Sequence, residues 1–256
     1  MNPHKKLKKT TIKNQQNPEW EILKWDTDFF GFTVAKIIPN KLNLNSLKKI
    51  LTSLRKSRVS LVYWASDSTD EASQKAAETL NGFLADRKVI YIINLKKIPV
   101  KHLQLNIKVE EHNKNLPNTE LKNLAIQAGL YSRYNVDQKI SKKKFEALYK
   151  IWITNSLNKT IADAVLVTKK KGKIVGMITL GKKNNRGDIG LIAVSPNARG
   201  MGLGTSLVKS AQSWFISHKY KFGQVITQEA NTAACRLYEK CGYRLEKKEN
   251  FYHFWL

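Results

Sequence analysis

Three glycines stand at alternate positions in Arg199-Gly200-Met201-Gly202-Leu203-Gly204, between the apolar run Ile189–Val194 and the helically spaced run Leu203–Phe215. A helix that begins there starts with N–H groups that have no partner inside the helix, and its dipole makes that end positive. The glycines leave this backbone almost bare, so an anion, above all a phosphate, can bind the main chain directly, with Arg199 as a second contact. A Walker A loop is excluded, because Gly204-Thr205 lacks the intervening lysine. A dinucleotide fingerprint wants Gly-x-Gly-x-x-Gly straight after its strand, whereas here Pro196 and three further residues intervene and the spacing is 200, 202, 204. Glu229 lies roughly where a ribose-binding acid would fall, which keeps a nicotinamide or methyl-donor reading open. A glycine-rich turn without a ligand is the competing bland reading.

Periodicity supplies the elements that must hold this loop. Glu21–Trp25, Phe32–Ile38, Val59–Trp64 and Lys88–Leu95 read as strands, and Leu44–Leu54 and Asp70–Asn81 as helices, the second closing on Gly82. After a break near Pro99, a strand is predicted near Leu105–Val109, then helices at Asn118–Ala128 and Lys142–Asn155. Ala162–Val167 and Lys173–Leu180 pair across Lys171-Gly172, and Asp188–Val194 leads into the glycine loop. A strand at Gln224–Thr227, a helix at Asn231–Cys241 and a strand at Tyr243–Trp255 follow. A helix closing on Asn81-Gly82-Phe83 before a strand mirrors one closing on Cys241-Gly242-Tyr243, either as an internal half-repeat or as two ordinary glycine-capped helices.

The chain has 256 residues, enough for one large domain or two small ones. Its apolar and charged fractions, 42% and 25%, are those of a soluble protein. The net charge of +25 is not ordinary, and a polyanion such as nucleic acid is one reading of it. The lysines are scattered in pairs and triplets with few aromatics between them, which argues for composition drift instead. No apolar run reaches the roughly 20 residues of a membrane span, and the N-terminal segment lacks the apolar core of a signal peptide, so the chain is expected in the cytoplasm. Cys235 and Cys241 fall on different sides of one predicted helix, and no Cys/His cluster has metal spacing, so no metal is expected.

The order strand, Arg-x-x-Gly-x-Gly, amphipathic helix, strand, Asn-started helix, Gly-Tyr strand resembles the GNAT superfamily of acetyl-CoA-dependent N-acetyltransferases over residues 105–256. Arg199, Gly202 and Gly204 carry its signature, supported by Val194-Ser195-Pro196, Asn231-Thr232-Ala233-Ala234 and Leu237-Tyr238. The resemblance implies an α/β fold with a mixed, largely antiparallel sheet, and acetyl-CoA as cofactor. It implies that the main chain of Gly200, Met201, Gly202, Leu203, Gly204 and Thr205 holds the pyrophosphate, with Arg199 and Asn231 beside it. The pantetheine arm would pair like an added strand with Ile192, Ala193 and Val194, and an N–H of that strand would serve as oxyanion donor. Tyr238 would protonate the departing thiolate. Against these roles, Tyr238 shares a helical face with Ala233, Ala234, Leu237 and Cys241, as a core residue does, and Asn231 is a favoured N-cap.

Trp25-Asp26-Thr27-Asp28-Phe29-Phe30-Gly31 is similar to a segment of the TDP-fucosamine acetyltransferases within that superfamily, as are Ser132-Arg133-Tyr134 and Ile189-Gly190-Leu191. This implies an acceptor amine on a dTDP-4-amino-4,6-dideoxy sugar. Arg133 is then a candidate for its diphosphate, with a surface ion pair as the alternative. Trp25, Phe29 and Phe30 are candidates for an aromatic wall, with core packing as the alternative. Asp26 or Asp28 would contact the amine or cap a turn, and Asp86 and Glu229 are two unplaced options for the general base. The expected organisation is a basic, disordered tail at 1–18, a smaller α/β domain at 19–103 and the acetyltransferase domain at 104–256. Rival readings are a GNAT enzyme for a protein N-terminus, lysine, polyamine or other small amine, which no acidic cluster in the sequence supports, and a basic nucleic-acid-binding protein with a vestigial acyl-CoA site. Pairing into a homodimer is left open.

Overall fold

The computed structural model of the chain describes residues 18–99, 103 and 107–256. The basic tail expected at 1–18 lies outside the described residues except for Pro18, and the strand expected near 105–109 lies outside them at 105 and 106. Strands β1 (Trp20–Ile22), β2 (Val34–Ile37), β3 (Leu61–Asp67), β4 (Phe83–Asn94), β5 (Glu110–Glu111), β6 (Ala164–Lys170), β7 (Lys173–Lys183), β8 (Arg186–Val194), β9 (Phe222–Gln228) and β10 (Arg244–Trp255) form one sheet. Its order is β1-β2-β3-β10-β4-β9-β8-β7-β6-β5. The sheet is mixed and mostly antiparallel, as expected; β2–β3 and β8–β9 are the parallel neighbours. The last strand, β10, inserts between β3 and β4, so the strands before and after residue 103 share one hydrogen-bonded layer.

Helices α1 (Lys24–Phe30), α2 (Leu44–Lys56), α3 (Glu71–Thr79), α4 (Thr119–Ala128), α5 (Arg133–Val136), α6 (Lys142–Leu157), α7 (Leu203–Ser217) and α8 (Thr232–Lys240) cover the sheet. Alternation along the strands assigns the faces. Val165, Val167 and Met177 join the core under α4 and α6, while Leu166, Ile178 and Leu180 join the one under α7. Ala35, Val62 and Trp64 pack with α2 and α3.

Two local readings are corrected. Glu21–Trp25 is not one strand: β1 ends at Ile22 and Trp25 lies in α1, where the i, i+4 pair Trp25–Phe29 stacks with centroids 5.2 Å apart. The matching helix ends also differ in mechanism. Gly242 takes the left-handed conformation after α8, but after α3 that conformation belongs to Asn81 (φ 57°). Gly82 is there for close approach, since a Cβ would sit 2.7 Å from Phe254 Cζ on β10.

Candidate active site

From β8 the chain passes through a short turn at Pro196–Ala198 into Arg199–Gly202 and then α7. Gly200 (φ 77°) and Gly202 (φ 78°) are both left-handed, a conformation that glycine adopts without a steric penalty. No side chain caps α7. Its first helical bond is Ser206 N–H to Gly202 O, at 3.0 Å, so the N–H groups of Leu203, Gly204 and Thr205 precede the ladder and stay bare.

Beside this loop the sheet opens. β8 and β9 pair in parallel only from Gly187/Gly223 to Ile189/Val225, and then diverge. Beyond that point β8 bonds on its other side to β7, and Ser195 N–H donates to Val175 O at 2.7 Å. Alternation then turns the main-chain polar groups of Ala193 toward β7 and those of Ile192 and Val194 into the opening. Ala193 therefore offers no free main-chain group there, and a strand added along this edge would bond to Ile192 and Val194. A β-bulge sets this phase: Gly190 and Leu191 together oppose Thr179, whose Oγ1 accepts the Leu191 N–H at 2.8 Å.

The loop, the opened strand and α8 enclose a cleft of about 580 Å³. A second cavity, of about 370 Å³, lies on the other side of the opening, and Ala128, Ile192, Asn231, Ala234 and Tyr238 border both. Asn231 accepts from Ala234 N–H at 3.2 Å and so does cap α8 while bordering the cleft. Tyr238 is 2% exposed, and its hydroxyl has no hydrogen-bond partner among the described residues. Burial pushes its pKa up, followed by Cys235 and Cys241, so the group keeps its proton.

The second cavity is lined by residues from nine elements. Burial raises the Asp86 carboxyl to about 7, against the opposing pull of the Arg133 guanidinium, a Gln228 hydrogen bond and Lys88. Asp188 is likewise raised by burial and accepts from Gln224 Nε2 at 2.8 Å. Lys88 is tied to Glu249 at 2.8 Å. Arg133 lies over the rings of Tyr63 (4.6 Å), Tyr134 (4.3 Å) and Phe251 (4.3 Å) and donates to the Tyr134 hydroxyl. Its buried Nε has no partner, and among the described residues no carboxylate forms an ion pair with it. A guanidinium held this way can receive an anion.

The sequence model of the Acetyltransferase (GNAT) family matches residues 130–243, which carry the loop, the opened strand and Tyr238. Over that stretch the chain is similar to the GNAT family, and its fold is the GNAT fold. Over 124 residues, 48% of this chain and 43% of the relative, it is 27% identical to the spore coat polysaccharide biosynthesis protein SpsD of Bacillus subtilis. Over 74 residues, 28% of this chain and 42% of the relative, it is 38% identical to a streptothricin acetyltransferase of Escherichia coli. The chain thus spans less than half the length of either relative. The fold is also that of a GCN5-related N-acetyltransferase from Sphaerobacter thermophilus, at a TM-score of 0.58 and 16% identity, covering 92% of this chain and 76% of that one.

The expected site residues separate into three groups. Ile192, Ala193, Val194, Arg199, Gly200, Gly202, Leu203, Gly204, Thr205, Asn231 and Tyr238 all border the loop-side cleft. Met201 does not, and is 49% exposed with its sulfur 3.5 Å from Lys170 Nζ. Arg133 borders the second cavity, but Trp25, Phe29 and Phe30 border neither. α1 places Trp25 on the surface and Phe30 in the core, stacked on Tyr134 at 6.2 Å. The aromatic residues that line the second cavity are Tyr134, which belongs to the Ser132-Arg133-Tyr134 match, and Tyr149, Trp152 and Phe251, which no motif marked. Asp28 pairs with Lys24 on the surface at 2.8 Å, and Glu229 pairs with Lys248 at 2.6 Å. Of the two unplaced bases, Asp86 is the one in the cavity. Folding brings Asp86 and Asp188 to one cavity across more than 100 residues of sequence, where Lys88, Arg133 and Lys183 also border it. Among the described residues no group of three or more His, Cys, Asp or Glu could hold a metal ion, and no helix is long and apolar enough to cross a membrane.

Proposed function

We propose that this chain transfers an acetyl group from acetyl-CoA to the amine of a nucleotide-linked amino sugar of the dTDP-4-amino-4,6-dideoxyhexose type. The observation that carries the reading is the meeting of two cavities at Tyr238, one lined by bare main chain and the other by ionisable side chains. The donor side fits coenzyme A, because uncapped N–H groups at α7 suit a pyrophosphate and the free edge of β8 suits an amide-bearing arm. When bound there, the cofactor supplies the acetyl group as a thioester.

The residues divide the remaining work. Asp86 takes the proton from the acceptor ammonium, for which a carboxyl raised to about 7 is well matched. Ile192 N–H, turned into the opening, is the single main-chain donor for the carbonyl oxygen. Tyr238 gives its proton to the departing sulfur. Arg133 receives the phosphate of the acceptor, and the similarity to the spore coat polysaccharide biosynthesis protein of Bacillus subtilis favours a sugar. In this reading residues 19–103 and 104–256 are two units sharing one sheet, since the first supplies Asp86 and the second the donor site.

A small cationic amine is the second reading, favoured by the two carboxylates that border the acceptor cavity and by the streptothricin acetyltransferase similarity. Release of coenzyme A thiol, measured with dTDP-4-amino-4,6-dideoxy sugars beside a panel of small amines, separates the two. Turnover with the sugars is expected to exceed turnover with any small amine, and the reverse order would overturn the sugar reading. A folded Tyr238→Phe variant should lose about 10²-fold or more in kcat. Unchanged turnover would remove Tyr238 from the mechanism.

A further inference from the structure

Where β9 leaves β8, the sheet acquires an internal edge, and unpaired strand edges are reactive toward any extended chain that can bond to them. The outermost acceptor on this edge is the Val194 carbonyl, which points into the cleft because Ser195 N–H is directed at β7. That carbonyl is already taken. Gln127, at the C-terminal end of α4, donates Nε2 to it at 2.7 Å, and Arg199 Nε approaches it at a longer 3.4 Å. Gln127 and Val194 border the same cleft.

We infer that Gln127 is a positioning residue that caps the β8 edge of the free protein, and that an amide of the coenzyme A arm must displace it to pair with Val194. This rests on the reading of the cleft as a coenzyme A site. Binding then exchanges one hydrogen bond for another, so the strand edge contributes geometry to recognition while adding little to affinity. The backbone need not move for the exchange. Gly129, two residues beyond Gln127, is wedged against Tyr149, where a Cβ would lie 2.2 Å from Cζ, and Ser132 N–H closes the turn onto Gly129 O at 2.9 Å. Rotation of the Gln127 side chain is enough.

The test is calorimetric titration of the full chain with coenzyme A and with adenosine 3′-phosphate 5′-diphosphate, the same nucleotide without the arm. Gln127→Ala and Gln127→Met both remove the donor, and the methionine keeps the volume. Each should bind coenzyme A about 2- to 10-fold more tightly than the unaltered chain, a gain typical of one relieved neutral hydrogen bond. Neither should change affinity for the armless nucleotide. Coenzyme A binding that is unchanged or weaker in both variants would overturn the cap. An unaltered chain that binds neither ligand would overturn the cofactor reading itself, and the cap with it.

Discussion

On one side of Tyr238, the largest share of the lining comes from a single stretch, Ile192 to Thr205, and much of what it presents is backbone. On the other side, Asp86 comes from β4, Arg133 from α5, Tyr149 and Trp152 from α6, Asp188 from β8 and Phe251 from β10. A main-chain site needs residues that expose N–H groups and tolerate left-handed backbone, so it constrains residue type within a short window. A side-chain site needs only that the right groups converge, and any strand or helix end that reaches the place can supply them. The first is therefore tied to the fold and the second is free to vary with the acceptor. That difference predicts that substitutions on the two sides damage different quantities.

The largest expected effect is at Asp86. Asp86→Asn should lower kcat by about 10²- to 10⁴-fold, the range for losing a general base, while coenzyme A affinity stays the same. The unaltered chain should show kcat/KM for the acceptor rising as pH passes through about 7, because the carboxyl accepts a proton only once ionised. That limb should vanish in the variant. The stability effect has the opposite sign. Burial raises this pKa, so ionisation disfavours the native state, and stability is lost as pH rises from the ordinary carboxyl range toward 7. The asparagine variant should therefore have a higher Tm than the unaltered chain at pH 8. A variant that keeps its activity would move the base elsewhere and leave Asp86 as a buried carboxyl without a role.

On the loop side the damage should fall on the cofactor alone. Gly200 has φ 77° and nothing within 4 Å of where a Cβ would be, so a substitution there meets only the conformational penalty. Gly200→Val should weaken coenzyme A binding by about 5- to 30-fold, the equivalent of forcing a branched residue into left-handed backbone. Gly200→Asn, which tolerates that conformation, should stay within about 3-fold. Equal losses in calorimetric titration for both variants would mean that the space, not the backbone conformation, is what the loop needs.

The same contrast explains what the sequence made legible. The loop, the helix Asn231–Cys241 and the succession of strands and helices from Ala162 onward could be read because glycine spacing, capping residues and apolar periodicity are local. Asn231 is an example: a residue type suited to begin a helix, found capping α8 at the edge of the cleft. Asp86 was unplaced in the sequence, and only the register of β4, which sets it opposite Phe251 of β10 and two residues from the Lys88/Gln228 pair, brings it within the influence of Arg133 and Gln228. The bulge at Gly190–Leu191 depends on Thr179, on a different strand, and so leaves no signature of its own. An exposed aromatic pair at i, i+4, as Trp25 and Phe29 form, has the same composition as a binding wall, so composition alone does not separate the two.

Trp25 also gives the smallest predicted effect and the sharpest check on where the acceptor cavity ends. Its ring is 46% exposed and stacks on Phe29, and neither residue borders the cavity. Trp25→Ala should remove about 0.5–1.5 kcal/mol of aromatic contact and change the acceptor KM by less than about 2-fold. Phe30, 7% exposed and stacked on Tyr134, is the residue of that segment with a path to Arg133. Phe30→Ala should cost about 3–5 kcal/mol of stability and act on the acceptor only through that loss. If Trp25→Ala instead raised the acceptor KM tenfold at an unchanged Tm, the acceptor would have to extend past Arg133 to α1. The acceptor side would then be larger than the cavity its side chains enclose.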